Sequence, residues 1–391
     1  MTAAGTTNPR WVLVLERPSF DPTARVGGLA LALRLALDAQ AASASAIVVS
    51  KEADAARAAL SDRRLRLPVL AEVPSGARCL RVPASTLVHR TLFRSLIAAQ
   101  QGEISHKEGA ELTLGSQSEL TLGTQSELTL DGFRHEPAYG FQSIDVTDRA
   151  RLREAERALF RSLRKAEDGW TSRYLNRYLS LALSRWLARS SLRPNQISVV
   201  ILGIGVLGAV LAARGELVLG ALLFQSQSVL DGCDGELSRV TYQGSLAGEW
   251  LDTVGDDLTN YGFFGGAGYG LYQATGSPLY LVAGLVTVAS GIVASAFEYR
   301  YLVKIGSGDL LKYPLSRATS EAVNRPKTSG FRLSALAPLF KRDTFVLLTL
   351  LASIAGLLGA MLCLFAAAAL GIVFAVLRTE LRLSREAARA V

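Results

Sequence analysis

Residues 196–377 are mostly apolar and glycine-rich, yet a set of carboxylates is planted inside them. From Asp231 the chain reads D-G-C-D-G-E-L-S-R. Eight residues later it reads G-E-W-L-D-T-V-G-D, ending at Asp256. Carboxylates are costly in hydrocarbon, so a cluster of them among membrane-length apolar runs marks a functional site by default.

The apolar runs divide into spans. Gln196–Ala213 is uncharged and long enough for one helix. Leu217–Val240 would reach about 36 Å at a rise of about 1.5 Å per residue, and its last third carries the first aspartates. Gly244–Tyr272 opens with the second half of the motif, and Ser277–Phe297 is a fourth span. Thr344–Leu377 would be about 51 Å long as one helix, against a hydrocarbon core of about 30 Å. A break around Gly356–Gly359 splits it and brings the total to six transmembrane helices, with five and a strongly tilted last helix as the alternative.

Charge orients these spans. The segment from Lys304 to Arg342 carries Lys304, Lys312, Arg317, Arg325, Lys327, Arg332, Lys341 and Arg342, and the end of the chain adds Arg378, Arg382, Arg385 and Arg389. The opposite turns carry only Arg214 and Glu216, and Gln273–Ser277 has no charge. Positive residues stay inside, so both termini are expected in the cytosol of a multi-pass protein of the cytoplasmic (inner) membrane. Both halves of the aspartate motif then face the cytosol. Residues 382–391 form a short cytosolic tail. The net charge of +8 is accounted for largely by these flanking residues, so nucleic acid is not an expected partner.

Residues 1–147 read differently. Trp11–Glu16, Ser45–Ser50 and Arg78–Val82 have the β-branched character of buried strands. Helical patterns at Leu29–Gln40, Lys51–Leu60 and Ser85–Gln101 alternate with them, which predicts a soluble α/β domain. Residues 102–139 form an insertion, hairpin-like or disordered, in which E-L-T-L recurs at Glu111, Glu119 and Glu127. No signal peptide is read at the N-terminus. Cys79, Cys233 and Cys363 lack metal-ligand spacing. Residues 148–195 are a helical connector, and Arg173, Arg177, Arg185 and Arg189 are expected on one charged side of a helix at the membrane interface.

Helix geometry turns the aspartates into a site. Asp231 and Asp234 are i, i+3; Asp252 and Asp256 are i, i+4; each pair shares a face. Four carboxylates converging from two helices repel one another unless hard divalent cations join them, and such an all-oxygen set suits Mg²⁺, Mn²⁺ or Ca²⁺. Two cations sharing a ligand is the arrangement of phosphoryl displacement. Gly235 and Gly248 clear space beside the carboxylates, Arg239 offers a planar fork to a phosphate, and Asp256 is placed to take a proton. Glu249 and Asp257 fall off the Gly248–Asp252–Asp256 face.

The pattern D-x-x-D-G-x-x-[AS]-R-x8-G-x3-D-x3-D resembles the signature of the CDP-alcohol phosphotransferases, with Ser238 where alanine is usual. The resemblance implies an α-helical integral membrane bundle of six transmembrane helices over about 196–381. It implies transfer of a substituted phosphate from a CDP-alcohol to an acceptor hydroxyl, with release of CMP. By the same resemblance Asp231, Asp234, Asp252 and Asp256 would bind two divalent cations, Mg²⁺ or Mn²⁺, with Ca²⁺ able to occupy or inhibit the site. Asp256 would be the general base. Asp234, Gly235, Ser238, Arg239, Gly248 and Asn195 would contact CDP. The acceptor would be a polyol or polyol phosphate, with Lys304, Arg317 and Arg342 either binding its phosphate or serving only as inside-positive charge. A homodimer within membrane lipids is the expected assembly.

Further matches, in D-G-C-D-G-E, in the stretch from Asp168 to Arg177 and in Lys341-Arg342-Asp343, resemble fused enzymes that join an inositol-phosphate cytidylyltransferase to a di-myo-inositol-phosphate-phosphate synthase. The soluble α/β domain then looks like a degenerate nucleotidyltransferase. Arg17–Arg25 stands where a glycine-rich phosphate loop would follow the first strand. The alternative function is a catalytically silent membrane scaffold presenting the N-terminal domain.

Overall fold

A computed structural model describes residues 11–74, 77–90, 111–114, 120–123, 141, 143–164, 171–317 and 342–389. Two compact units divide the chain. One comprises Met1–Arg164 with Val240–Tyr242, the other Lys165–Arg239 with Gln243–Val391.

The first unit is α/β. Its elements are β1 (Trp11–Glu16), β2 (Arg25–Val26), β3 (Leu29–Ala30), α1 (Leu31–Ala41), β4 (Ala46–Val49), a 3₁₀ segment (Lys51–Ser61), β5 (Val69–Leu70), β6 (Arg78–Pro83), β7 (Thr86–Val88), β8 (Glu111–Leu114), β9 (Leu120–Gly123), β10 (Ser143–Asp145) and α2 (Arg149–Arg161). The main sheet runs β5-β4-β1-β6-β8-β9, and all its pairings are parallel except β8–β9. A parallel strand covered on both faces needs a continuous apolar run rather than alternation. β1 supplies one: Leu13 and Leu15 pack with Leu35 and Ile47, while Val12 and Val14 pack with Ala46 and Val48 on the other side.

The first two copies of the repeat supply β8 and β9, an antiparallel hairpin added to β6. The third copy, from Glu127, lies outside the described residues. So does most of the helix expected over 85–101, and its start is instead β7, paired antiparallel with β10. Thr86–Val88 is buried throughout, as befits a strand of β-branched and apolar residues.

The boundary between the units falls inside the 148–195 stretch. Asp148 caps α2 by accepting from the amides of Ala150 (2.7 Å) and Arg151 (2.8 Å), and α2 buries Ala155 and Phe160 in the first unit. His89 is half-buried edge-on to Phe141, and burial together with Arg90 lowers its pKa. A depressed histidine pKa means stability present at neutral pH and lost as pH falls below the ordinary value of about 6.5. Protection factors of the β7 and β10 amides, taken relative to the intrinsic base-catalysed exchange rate at each pH, are therefore expected to fall between pH 7.5 and 5.5, and less so in His89→Asn.

The second unit is helical. A single π turn (Ser172–Asn176) leads into α3 (Arg177–Leu187), followed by α4 (Pro194–Ala213), α5 (Leu217–Thr241), α6 (Leu246–Thr275), α7 (Pro278–Ile305), α8 (Arg342–Ile354) and α9 (Leu358–Arg389). The break expected near Gly356 is present, and Gly356 takes a φ of 71° that a side chain would resist. Helices α4, α7 and the Leu358–Arg382 part of α9 are long and apolar enough to cross a membrane. Their outward residues are apolar, among them Val200, Leu207, Leu285, Leu370 and Phe374, while Gln227, Thr259, Ser290 and Thr349 are buried. An apolar exterior around a polar interior is the pattern of a bundle in lipid.

Small residues set the spacing of α6 from its neighbours. A Cβ on Gly266 would lie 2.5 Å from the Ala209 carbonyl, and one on Gly270 would strike the Ala212 carbonyl. Gly268 and Gly284 meet in the same way between α6 and α7. Without a hydrophobic force between helices in lipid, such close backbone approach is the main source of association. Gly266→Leu is expected to cost about 3 kcal/mol or more, since the obstacle is backbone. A lowered melting temperature in detergent checks this.

Helix α3 departs from the expected charged stripe. Arg177 is buried rather than exposed, and the exposed face carries Tyr178, Leu179 and Trp186, with Tyr174 exposed in the π turn before it. Arg177 turns inward because Glu236, buried in the bundle, accepts from it.

Candidate active site

Four helix segments supply the site. Pro194 begins α4, where the Arg193 amide donates to Gln196 Oε1 (2.9 Å), placing Asn195 in the first turn. Ser245 caps α6 by accepting from the Gly248 amide at 3.0 Å, which fixes the start of the helix bearing Asp252 and Asp256. Asn195 and Gly248 come together there. A Cβ on Gly248 would lie 2.9 Å from Asn195 Oδ1, so a side chain there would push the Asn195 amide out of this position.

Asp231 on α5 and Asp252 and Asp256 on α6 each direct a carboxylate oxygen to one place, all within 4.8 Å of one another. Asp234 is not in that group. It is buried, and it accepts from Ser198 Oγ (2.5 Å) on α4 and from the Gly235 amide. Arg239 lies over Gly235, where a Cβ would be 3.3 Å from its Nη1. The Ser238 hydroxyl donates to the Gly235 carbonyl at 3.0 Å, within its own helix.

Arg342, at the start of α8, closes the carboxylate group. Its Nη1 is 3.0 Å from Asp231 and 2.7 Å from Asp256. Its Nη2 donates to Gln227 Oε1 at 2.7 Å and its Nε to Asn260 Oδ1 at 3.4 Å, while Gln227 Nε2 donates to Asp256 at 3.4 Å. Sequence reasoning missed Gln227, Asn260 and Ser198. The signal for the first two was present: Gln227 is i−4 from Asp231 and Asn260 is i+4 from Asp256, so each extends an aspartate stripe by one turn.

Lys304, in the last turn of α7, and Arg317 are both exposed. Lys341 lies outside the described residues. Asp257 is turned to α7, accepting from Ser295 Oγ (2.5 Å) and Tyr299 OH (2.7 Å). Glu249 accepts from Ser307 Oγ and the Gly308 amide.

Three carboxylates at this separation, drawn around a guanidinium, have the charge and oxygen-only chemistry that a hard divalent cation requires. Asp231, Asp252 and Asp256 could hold it, and Asp234 is one turn from Asp231 on the same helix.

Residues 191–377 match the family described as CDP-alcohol phosphatidyltransferase. Among curated proteins, the chain is 30% identical over 163 residues to the bifunctional IPC transferase and DIPP synthase of Thermococcus kodakarensis, covering 41% of this chain and 37% of that protein. It is 35% identical over 147 residues to the protein of that name from Rubrobacter xylanophilus, covering 37% of this chain and 34% of that one. The chain thus spans little more than a third of these relatives' length. The crystal structure of Mycobacterium tuberculosis phosphatidylinositol phosphate synthase with CDP-DAG bound is 20% identical with a TM-score of 0.38, covering 52% of this chain and 93% of that one. Over residues 191–377, just under half of its length, the chain is therefore similar to the CDP-alcohol phosphatidyltransferase family.

Proposed function

We propose that this chain transfers a substituted phosphate from a CDP-alcohol to an acceptor hydroxyl and releases CMP. The observation that carries the reading is the convergence of Asp231, Asp252 and Asp256 within 4.8 Å, in a segment of matching family. Divalent cations, Mg²⁺ or Mn²⁺, would neutralise the diphosphate and the CMP leaving group when bound there. Asp234, Gly235, Arg239, Gly248 and Asn195 hold the CDP moiety, with Gly248 leaving room beside Asn195. Asp256 takes the proton of the acceptor hydroxyl as that oxygen bonds to the phosphorus bearing the alcohol and the bond to CMP breaks. Arg342 binds the acceptor's phosphate where one is present. Lys304 and Arg317 either join Arg342 in binding that phosphate or contribute inside-positive charge.

The donor is CDP-diacylglycerol or a CDP-inositol-like molecule, and the acceptor a polyol or polyol phosphate. The relatives named as DIPP synthases favour the inositol-type donor. Six helices cross the cytoplasmic membrane with both termini in the cytosol, and the protein is a homodimer. The N-terminal α/β domain is a degenerate nucleotidyltransferase with a structural or regulatory role, since no glycine-rich loop follows β1. The test is CMP release by purified protein given Mg²⁺ or Mn²⁺, a panel of CDP-alcohols and polyol acceptors. No CMP from any pair would overturn the proposal.

A further inference from the structure

Between Asp234 and Arg239, the motif helix carries a glutamate for which the proposed reaction has no use. Glu236 is fully buried, at 0% exposure. Its Oε1 accepts from Arg177 Nη1 at 2.6 Å and from Ser180 Oγ at 2.8 Å, and its Oε2 accepts from Ser184 Oγ at 2.7 Å. The three donors are i, i+3 and i+7 on α3, one face of one helix. At 3.6 residues per turn, Glu236 points roughly 150° away from Asp231 and Asp234 around α5. The carboxylate group lies on one side of α5 and this clamp on the other.

A second observation shows that the clamp is built into the motif. A Cβ on Gly232 would lie 3.2 Å from Arg177 Nη1 and 3.3 Å from Ser180 Oγ. Gly232, one turn before Glu236, therefore leaves the space in which the guanidinium reaches the carboxylate. Cys233 Sγ also meets the Ser180 carbonyl, at 3.6 Å. Three positions after Asp231 on this face, Gly232, Cys233 and Glu236, thus have one partner helix in common.

We propose that Glu236 is a positioning residue: gripped by Arg177, Ser180 and Ser184, it fixes the rotation of α5 and so aims Asp231 at Asp252 and Asp256. A buried ion pair has one satisfactory geometry, whereas apolar packing tolerates small rotations. A turn of α5 by a fraction of a residue would swing Asp231 away from Asp252 and Asp256. The inference rests on the proposed metal-dependent transfer only in taking those carboxylates as metal ligands.

Mn²⁺ titration of the purified full chain, followed by electron paramagnetic resonance, tests it. Glu236→Gln and Arg177→Met are each expected to weaken Mn²⁺ binding by about tenfold or more, as partners that orient metal ligands do. The neutral pair Glu236→Gln/Arg177→Met is expected to recover most of that loss, because neither charge is then left buried alone. A merely structural role would lower the melting temperature and leave the affinity of folded protein unchanged. Wild-type Mn²⁺ affinity in both single variants would overturn the proposal, as would a double variant no better than the singles. Should the singles fail to fold, Ser184→Ala, which removes one hydrogen bond and keeps the ion pair, is expected to weaken Mn²⁺ binding, and an unchanged affinity would overturn the proposal. If Mn²⁺ binding follows this pattern while the wild type releases no CMP, the positioning role stands and the transfer reaction falls.

Discussion

Asp256→Asn is expected to abolish CMP release, lowering kcat on the order of 10³-fold or more, with the protein still folded. Asp256 is asked to do two things that asparagine cannot. As a carboxylate it faces Asp231 and Asp252 within 4.8 Å, and in the proposed reaction it is the base that receives the acceptor's proton. The amide is of nearly the same size and retains an acceptor oxygen, so packing against Gln227 and Arg342 is little disturbed. Mn²⁺ binding is expected to weaken in the same variant, since one of the converging negative charges is gone. Single-turnover CMP release at saturating Mn²⁺ separates the two effects. Recovery of wild-type turnover at high metal would show that Asp256 is a ligand alone and remove it as the general base.

Arg342→Gln is expected to move metal binding and turnover in opposite directions. The guanidinium lies 3.0 Å from Asp231 and 2.7 Å from Asp256, so it competes with any cation for those carboxylates. Without it, Mn²⁺ should bind at least as tightly as in the wild type. The kcat/KM for a phosphorylated acceptor should nevertheless fall by about 10²-fold, because losing one partner of a partly buried charged contact costs about 2–5 kcal/mol. The loss should appear mainly in the acceptor KM, and a neutral polyol should be affected less. Equal losses for both acceptors would remove the phosphate-binding role. Weakened Mn²⁺ binding would instead make Arg342 a support for the carboxylates.

Much of the bundle was legible from apolar run length. The starts of α4 and α7, the glycine break near residue 356 and the pairing of aspartates on two helices all follow from local rules of helix geometry and capping. The buried β1 and β4 were equally plain, since a parallel strand covered on both faces leaves a continuous apolar run. Residues 85–101 were harder to read. Thr86–Val88 becomes a strand because Ser143–Asp145, more than fifty residues away, offers it a partner, and no local pattern encodes that distance.

The site shows the same division. Asp252 and Asp256 could be aligned from spacing, as Asp231 could with Asp234, because residues three and four apart on a helix share a face whatever surrounds them. Arg177 could not be placed by spacing. Its neighbours suggested an exposed charged stripe, yet a single buried carboxylate on another helix draws it inward.

By itself, the sequence determined the chemistry within reach: which carboxylates share a helix face, which glycines clear space, and which runs are apolar enough for lipid. Those are properties of segments shorter than two helical turns or as long as one span, and they are set by bond geometry and transfer energy. Only the tertiary structure decided that Arg342 closes the carboxylate group, that Asp234 turns to Ser198, and that Glu236 fastens α3 to the motif helix. Each of these joins side chains far apart in the chain, and such a contact exists only once the packing of whole helices has brought its two halves together.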